Sequence, residues 1–135
     1  KFKDPTVDAV SYIYLRSSEM YYIETEALAR SGKEAAARQV LYEITITRDP
    51  AYVLSSKSGN NLIEEIILQK RIELWGEGCA WYDMKRLGVS LSRDYIGSNH
   101  PAFGKFNIPA GDNKFIFQIP QAEIDANPLI VQNPL

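Results

Sequence analysis

Apolar side chains recur at helical spacing in the first third of the chain. Met20, Ile23 and Ala27 are three and four residues apart, so we expect them to form the apolar face of one helix. This helix is predicted to run from Tyr12 to Arg30, because the Ser-Gly pair that follows favours the left-handed conformation that ends a helix. The acidic side chains that we expect to face water are Glu19, Glu24 and Glu26.

A second helix is predicted to follow at once, from Lys33 onward. It stops at Asp49, since the residue before Pro50 disfavours helical backbone angles. Two helices joined by so short a turn must be neighbours, so residues 12–48 are predicted to form a helix pair. The apolar stripe of the second helix consists of Ala37, Val40, Leu41 and Ile44.

Residues 61–88 show another helical stretch. Asn61 is the predicted helix cap, with Glu64 as its reciprocal partner. A Gly-Glu-Gly segment interrupts the pattern, and residues 79–87 can form a further short helix that Gly88 ends. We therefore expect a second helix pair over residues 61–88. The positions at helical spacing before the interruption are Leu62, Ile63, Ile66, Ile67, Lys70 and Leu74.

The helical pattern is lost in residues 89–135, which we expect to form a loop and a closing tail. Residues 90–112 are rich in Ser, Gly, Asn and Pro and are predicted to be a long loop. Residues 115–119 are apolar and β-prone, which predicts a short strand, and residues 120–126 favour a brief helical turn. The tail is predicted to lie extended across the helices and to bury Leu129, Ile130 and Val131.

Composition narrows the classes of function. The chain is 45% hydrophobic and 24% charged, as in an ordinary globular protein. Its 15 basic and 17 acidic residues nearly balance, which argues against nucleic-acid binding and against a polybasic membrane surface. A single cysteine and a single histidine exclude an internal disulfide framework, a cysteine-based zinc site and multi-histidine metal motifs.

Two carboxylates are candidates for acid–base chemistry. Glu73 and Glu77 are four residues apart and can share a helix face, and paired carboxylates serve glycoside hydrolysis. The alternative is a structural role, in which they bind Arg71, Arg86 or a helix N-terminus. We favour the structural role, because ion pairs of this kind are common at protein surfaces.

One thiol is the other candidate for catalysis. Cys79 beside His100 could form a nucleophile and base, although we favour a buried cysteine and a solvated loop histidine. No Gly-x-Ser-x-Gly, phosphate-binding glycine loop or His-Glu-x-x-His motif is present. We therefore expect no enzymatic activity, no cofactor and no metal.

Aromatic side chains offer a different chemistry, since flat rings stack on the apolar faces of sugars. Aromatic residues make up 11% of the chain. For Trp75 and Trp81 we expect packing in the core, because large aromatic residues are highly buried on average. Tyr95, His100 and Phe103 lie in the polar loop, where binding residues concentrate, and they are the predicted ligand-binding residues.

Three segments, in this order, resemble the SusD/RagB family. Residues 14–27 resemble its Leu-Arg…Glu-Met-Tyr…Glu-Ala helix. Residues 71–88 resemble its Arg-x-x-Glu-Leu-x-x-Glu-Gly-x-Arg-Trp-x-Asp-Leu-x-Arg-x-Gly stretch, with Arg71 one residue closer to Glu-Leu. Residues 119–134 resemble its Pro-x-x-Glu-Ile…Asn-Pro…Gln-Asn-Pro ending. Ala80 replaces a usual arginine, so an ion pair of that arginine with Glu77 or Asp83 would be missing.

This resemblance implies a mainly α fold with tetratricopeptide-like helix pairs and an extended, loop-rich C-terminal segment. Family members are lipid-anchored surface proteins of Bacteroidetes that bind glycans without catalysis and pass them to a SusC-like TonB-dependent outer-membrane transporter, which the helix pairs contact. They are several hundred residues long, so this chain would be a C-terminal part. The lipid-bearing cysteine would then lie outside the chain, and it is not Cys79. No binding residue is carried over from the family.

Two rival functions stay open at this point. The helix pairs also fit a generic helical-repeat module for protein–protein interaction, without a sugar ligand. The paired carboxylates Glu73 and Glu77 fit a glycosidase. The resemblance favours binding of a starch-like or other oligosaccharide over both.

Overall fold

The computed structural model describes residues 15–134, which contain five α-helices and one two-stranded sheet. The chain divides into two units, residues 1–77 and residues 78–135. These elements confirm the mainly α fold class. The first unit contains α1 (Ser17–Arg30), α2 (Glu34–Thr45) and α3 (Gly59–Glu73). The second contains α4 (Cys79–Leu87), β1 (Leu91–Ser92), β2 (Asn107–Ile108) and α5 (Gln121–Ala126), with 3-10 turns at Ala102–Gly104 and Asn113–Phe115.

A tight turn joins α1 and α2 where the sequence predicts it. Gly32 has a φ of 80°, the left-handed region that glycine enters without strain. This conformation lets the Lys33 N–H donate to the Leu28 carbonyl at 2.9 Å and the Gly32 N–H to the Ala29 carbonyl at 3.1 Å. The chain reverses, and α2 packs along α1. The predicted start of α1 at Tyr12 lies outside the described residues; within them, α1 begins at Ser17.

The core of the first unit lies between its three helices. Ala37 and Leu41 of α2 and Leu62 and Ile66 of α3 are fully buried, as their helical spacing predicts. Burying one large aliphatic side chain contributes roughly 1.5–3 kcal/mol, so these contacts hold the three helices together. Around them pack the partly buried side chains of Leu28, Ile44, Tyr52 and Ile63.

The prediction for α1 is wrong about which face is buried. Met20, Ile23 and Ala27 are exposed, although they form the apolar stripe of the sequence. Glu26, expected to face water, is buried. The helix is rotated about its axis relative to the expectation. The side chains that α1 does bury are Ser18, Tyr22, Thr25, Glu26 and Ala29.

Two of the polar side chains on the buried face, Thr25 and Glu26, have hydrogen-bond partners, which lowers the cost of this rotation. The Thr25 hydroxyl donates to the Tyr21 carbonyl at 2.6 Å, and the Arg30 Nε donates to Glu26 Oε1 at 2.7 Å. A hydrogen-bonded polar group costs little to bury. The orientation also buries the ring of Tyr22, the largest fully buried side chain of the protein's described part.

Helix α3 begins three residues earlier than the capping pattern predicts. Asn61 does not cap it, since the first helical residue is Gly59 and Ser58 precedes it. The Gly59 N–H donates to Glu34 Oε1 at 2.8 Å, so an acidic side chain of α2 satisfies a free amide at the start of α3. A partner from another helix thus replaces the expected local cap. The pairing of α3 with α4 stays a prediction.

The second unit contains a short sheet in the region expected to be only loop. Leu91 pairs with Ile108 and Ser92 with Asn107, in antiparallel register. Ile108 is buried, whereas the residues between the strands are mostly exposed. Strands of two residues show no alternation along the sequence, so no periodicity could have revealed them.

The strand predicted at residues 115–119 is wrong. Phe115 ends a 3-10 turn, and the extended residues that follow pair with no strand in the described part of the chain. Their backbone groups bind side chains instead, since the Asn133 amide donates to the Phe117 carbonyl at 2.7 Å. Helix α5 (Gln121–Ala126) lies where the helical turn was predicted.

The tail is not buried as expected. Leu129 is 89% exposed and Val131 is 85% exposed, while Ile130 is half-buried. Polar side chains attach this tail: both backbone groups of Ile119 bind the amide of Gln132. Because polar side chains hold the tail in place, Leu129 and Val131 do not need to be buried to attach it, and this explains why the prediction of a buried tail failed.

Substitution of Leu62 by alanine tests the core of the first unit. We expect Leu62→Ala to lower the free energy of unfolding by about 3 kcal/mol, because it leaves a cavity between three helices. Leu68→Ala on the same helix is the matched control, since Leu68 is 52% exposed, and its cost stays below about 1 kcal/mol. Urea unfolding followed by circular dichroism measures both. Equal losses for the two variants would contradict this core.

Candidate functional site

The carboxylate of Glu73, at the end of α3, is buried between two arginines. Arg48, which follows α2, donates to it through Nε at 3.1 Å and through Nη2 at 3.2 Å. Arg16, which precedes α1, forms a second ion pair with Glu73 and a third with Glu77, whose Oε1 lies 2.5 Å from Nη1. Glu73 and Glu77 therefore have the structural role that was favoured, and they pair with Arg48 and Arg16, two arginines that the sequence analysis did not name.

The electrostatics of this cluster do not suit acid–base catalysis. Burial of Glu73 tends to raise its pKa, but the hydrogen bond from Arg48 and the charges of Arg48 and Arg16 outweigh burial and hold the pKa below its usual value. A general acid of a glycosidase needs a raised pKa instead. The cluster is an ion-pair network that ties the ends of three helices.

The polar loop of the second unit is organised by Arg93. Its guanidinium Nη2 lies 3.1 Å from His100 Nδ1, and its guanidinium carbon lies 5.1 Å from the centre of the Phe106 ring, a cation–π contact. Its carbonyl accepts a hydrogen bond from the Ser98 hydroxyl at 2.7 Å. Its N–H donates to the side chain of Asn107 at 2.9 Å. One residue thus links both ends of the loop to its middle.

The three predicted ligand-binding residues lie on this loop but in different settings. Phe103 is 90% exposed and Tyr95 is 56% exposed, so both present their rings to solvent. His100 is half-buried, and its ring nitrogen faces Arg93 rather than solvent. We name residues 93–106 the aromatic loop. Its rings are displayed on a backbone that β1 and β2 hold at both ends.

Sequence reasoning missed two residues of the aromatic loop. Arg93 was not singled out, because its contacts with His100 and Phe106 form only when the loop closes. Ile96, next to Tyr95, is fully exposed. An exposed aliphatic side chain beside an exposed ring adds to the apolar surface of the loop.

Comparison with known proteins identifies the family of this chain. The family model described as SusD family matches residues 2–135. The chain belongs to the SusD family. It is similar to a SusD superfamily protein from Bacteroides vulgatus ATCC 8482, whose crystal structure matches with a TM-score of 0.76 and 25% sequence identity. That match covers 90% of this chain and 27% of the other, so this chain spans about a quarter of that protein's length. No curated protein matches it.

Ion pairs join two of the segments that resemble the SusD family. Arg16 belongs to the first of these segments and Glu73 and Glu77 to the second, and the ion pairs join them. Within the second segment, Asp83 pairs with Arg86 at 2.8 Å. Glu77 and Asp83 therefore both have cationic partners, although position 80 holds alanine.

The two tryptophans of this SusD-family chain differ from each other. Trp81 is half-buried, with its ring centre 4.8 Å from that of Phe115 and 6.3 Å from that of Phe117, in line with the expected packing. Trp75 is 71% exposed, so the prediction of a core position is wrong. The preceding Leu74 takes the buried position at the end of α3.

The thiol and the acidic side chains are the remaining candidates for a site. Cys79 is the first residue of α4 and half-buried, while the described partner of the His100 ring is Arg93. Within residues 15–134, no three His, Cys, Asp or Glu side chains are grouped to hold a metal ion. Among the helices of that same range, none is both long and apolar enough to cross a membrane.

The Glu73 network predicts an acid-sensitive contribution to stability. Because the folded-state pKa of Glu73 is lowered, its contribution is fully present above the unfolded-state value of about 4.3 and is lost as pH falls through the folded value. We expect Glu73→Gln to be less stable at pH 7 by about 2 kcal/mol. We also expect its stability to fall less steeply below about pH 4.3.

Urea unfolding between pH 2.5 and pH 7 measures this difference. Glu64→Gln, an exposed glutamate on the same helix, is the matched control and should follow the wild-type profile. An unchanged acid slope in Glu73→Gln would remove Glu73 as the source of the pH dependence.

Proposed function

We propose that this chain is part of a non-catalytic protein that binds starch-like or other oligosaccharides for nutrient uptake. In this proposal the intact protein is lipid-anchored at the outer-membrane surface and delivers its ligand to a SusC-like TonB-dependent transporter. The observation that carries the proposal is the SusD family match over residues 2–135. The arginine-paired carboxylates support a binding role over hydrolysis, since the arginines hold the pKa of Glu73 below its usual value and Glu77 is paired with Arg16.

The aromatic loop is the proposed contribution of this chain to glycan binding. The exposed rings of Tyr95 and Phe103 offer flat apolar faces on which a pyranose ring can stack. His100 has a second ring nitrogen besides the one that faces Arg93, and it can bond to a sugar hydroxyl. Because Arg93 ties the loop together, binding needs little additional ordering of the backbone.

Removal of one ring tests this assignment. We expect Phe103→Ala to weaken oligosaccharide binding about fivefold or more, since truncation of an aromatic anchor commonly costs over 1 kcal/mol. Tyr95→Ala should act in the same direction. Calorimetry of the intact protein with a panel of maltose-, xylose- and mannose-based oligosaccharides measures the dissociation constants.

Tyr82→Ala is the matched control, because Tyr82 is an exposed ring on α4, outside the aromatic loop. We expect it to bind like the wild type. Wild-type binding that neither Phe103→Ala nor Tyr95→Ala weakens would place the glycan elsewhere. A wild type that binds no sugar in the panel while it captures a protein partner would favour the helical-repeat interaction module.

A second surface, on α3, has the exposed apolar side chains expected of a contact with another protein. Leu68 and Ile72 of α3 and Trp75 just beyond it follow one another at spacings of four and three residues, and all three side chains are exposed. Exposed apolar side chains that adjoin one another on a protein surface often mark an interaction site, whereas single ones do not. We propose that this α3 stripe, composed of Leu68, Ile72 and Trp75, contacts the transporter.

A charge placed in the α3 stripe tests the partner surface. We expect Ile72→Glu to reduce co-purification of the transporter with the intact protein at least fivefold, because it buries a carboxylate in an apolar contact. Asn61→Asp, exposed on the same helix, adds the same charge as a control and should leave the complex intact. Equal recovery of the transporter with both variants would reject the stripe as the contact.

A further inference from the structure

The end of the described chain is fastened to residues 117–119 by side-chain amides. The Ile119 N–H donates to Gln132 Oε1 at 2.9 Å, and Gln132 Nε2 donates back to the Ile119 carbonyl at 3.0 Å. Asn133 Nδ2 donates to the Phe117 carbonyl at 2.7 Å. The Gln118 Nε2 donates a hydrogen bond to the Pro134 carbonyl at 3.3 Å. We name the Gln132 and Asn133 contacts the amide clamp.

The amide clamp occupies the place of a neighbouring strand. In an antiparallel ladder, one residue exchanges both its N–H and its carbonyl bonds with the residue opposite. The side chain of Gln132 makes this same exchange with Ile119. In an extended chain, the backbone N–H and carbonyl groups of residues 117 and 119 point to the same edge of the strand. The clamp therefore covers one edge of this segment.

The covered segment has the composition of a pairing strand. Residues 115–119 are Phe-Ile-Phe-Gln-Ile, without charge, proline or glycine. Such segments pair readily with copies of themselves when an edge is open. Lys114 and Pro120 flank the segment on its two sides, which is the position of residues that interrupt aggregation. Phe117 is already exposed, so only the backbone edge needs to open.

We propose that the amide clamp guards this edge, and that the edge it covers is a pairing surface for an extended polypeptide, namely the same segment of a second copy. The clamp is made of bonds between exposed groups, for which water competes, so it opens more easily than a buried ladder does. Opening frees the Ile119 N–H and the Phe117 and Ile119 carbonyls together. A strand of a second chain can satisfy all three.

The double variant Gln132→Ala/Asn133→Ala in the intact protein tests the proposal. Hydrogen exchange of peptides that contain Ile119 should accelerate about tenfold, because its amide loses its acceptor. Sedimentation across a concentration series should show larger species than the wild type forms at equal concentration. Addition of Gln118→Lys should abolish these species, because it places like charges side by side in paired segments.

Two further variants make the test specific. Gln132→Glu keeps an acceptor for the Ile119 N–H but removes the donor to its carbonyl, and it should cause a weaker form of the same association. It also covers the case in which the double variant does not fold. Gln121→Ala is the matched control, since Gln121 is an exposed glutamine bonded to Asp125 within α5. It should match the wild type in exchange and in size.

Three results would overturn the proposal. Unchanged exchange at Ile119 in the double variant would mean that the clamp is not closed in solution. Faster exchange without larger species would mean that the open edge does not pair. Larger species that persist after Gln118→Lys would place the contact on another surface.

Discussion

A buried carboxylate with two cationic partners sets the geometry of the first unit. An ionised group out of water is costly unless it is paired, so Glu73 can be buried only where Arg48 and Arg16 both reach it. Those arginines follow α2 and precede α1, and Glu73 ends α3, so one charge ties three helix ends. Glu34 ties the start of α3 to α2 in the same way. The apolar core supplies the favourable energy, and the ion pairs select one arrangement of the helices.

Periodicity predicted the fold wherever burial was decided by apolar area alone. Leu41 and Leu62 lie on the apolar stripes of α2 and α3, and both are buried as predicted. The prediction for helix α1 failed because Thr25 and Glu26 have hydrogen-bond partners, which offset the cost of burying a polar face. The strand at 115–119 failed for a related reason: its edge is satisfied by side chains far along the chain, which a local pattern cannot reveal.

The candidate site, like the fold, could be predicted from the sequence only in part. Tyr95, His100 and Phe103 could be chosen from the sequence, because ring-bearing residues in a polar loop are visible locally. Arg93 could not, since its contacts with His100 and Phe106 exist only once the chain has returned to pair β2 with β1. The pairing involves two residues on each strand, too few to leave a pattern. What the sequence lacked was the closure of the loop by β1 and β2, with Arg93 packed on Phe106 at its two ends.

The segments that resemble the family share a physical property in this chain. Arg16, Glu73 and Gln132 each make directed polar contacts with residues far away in the sequence. A directed contact needs a particular functional group at a particular distance, so few substitutes serve, whereas an apolar core accepts many side chains of suitable volume. Recognisable motifs at 25% identity to a solved relative are therefore expected at such contacts rather than in the core. The rings of Tyr95 and Phe103, by contrast, are exposed to solvent, so the packing of the chain constrains them less.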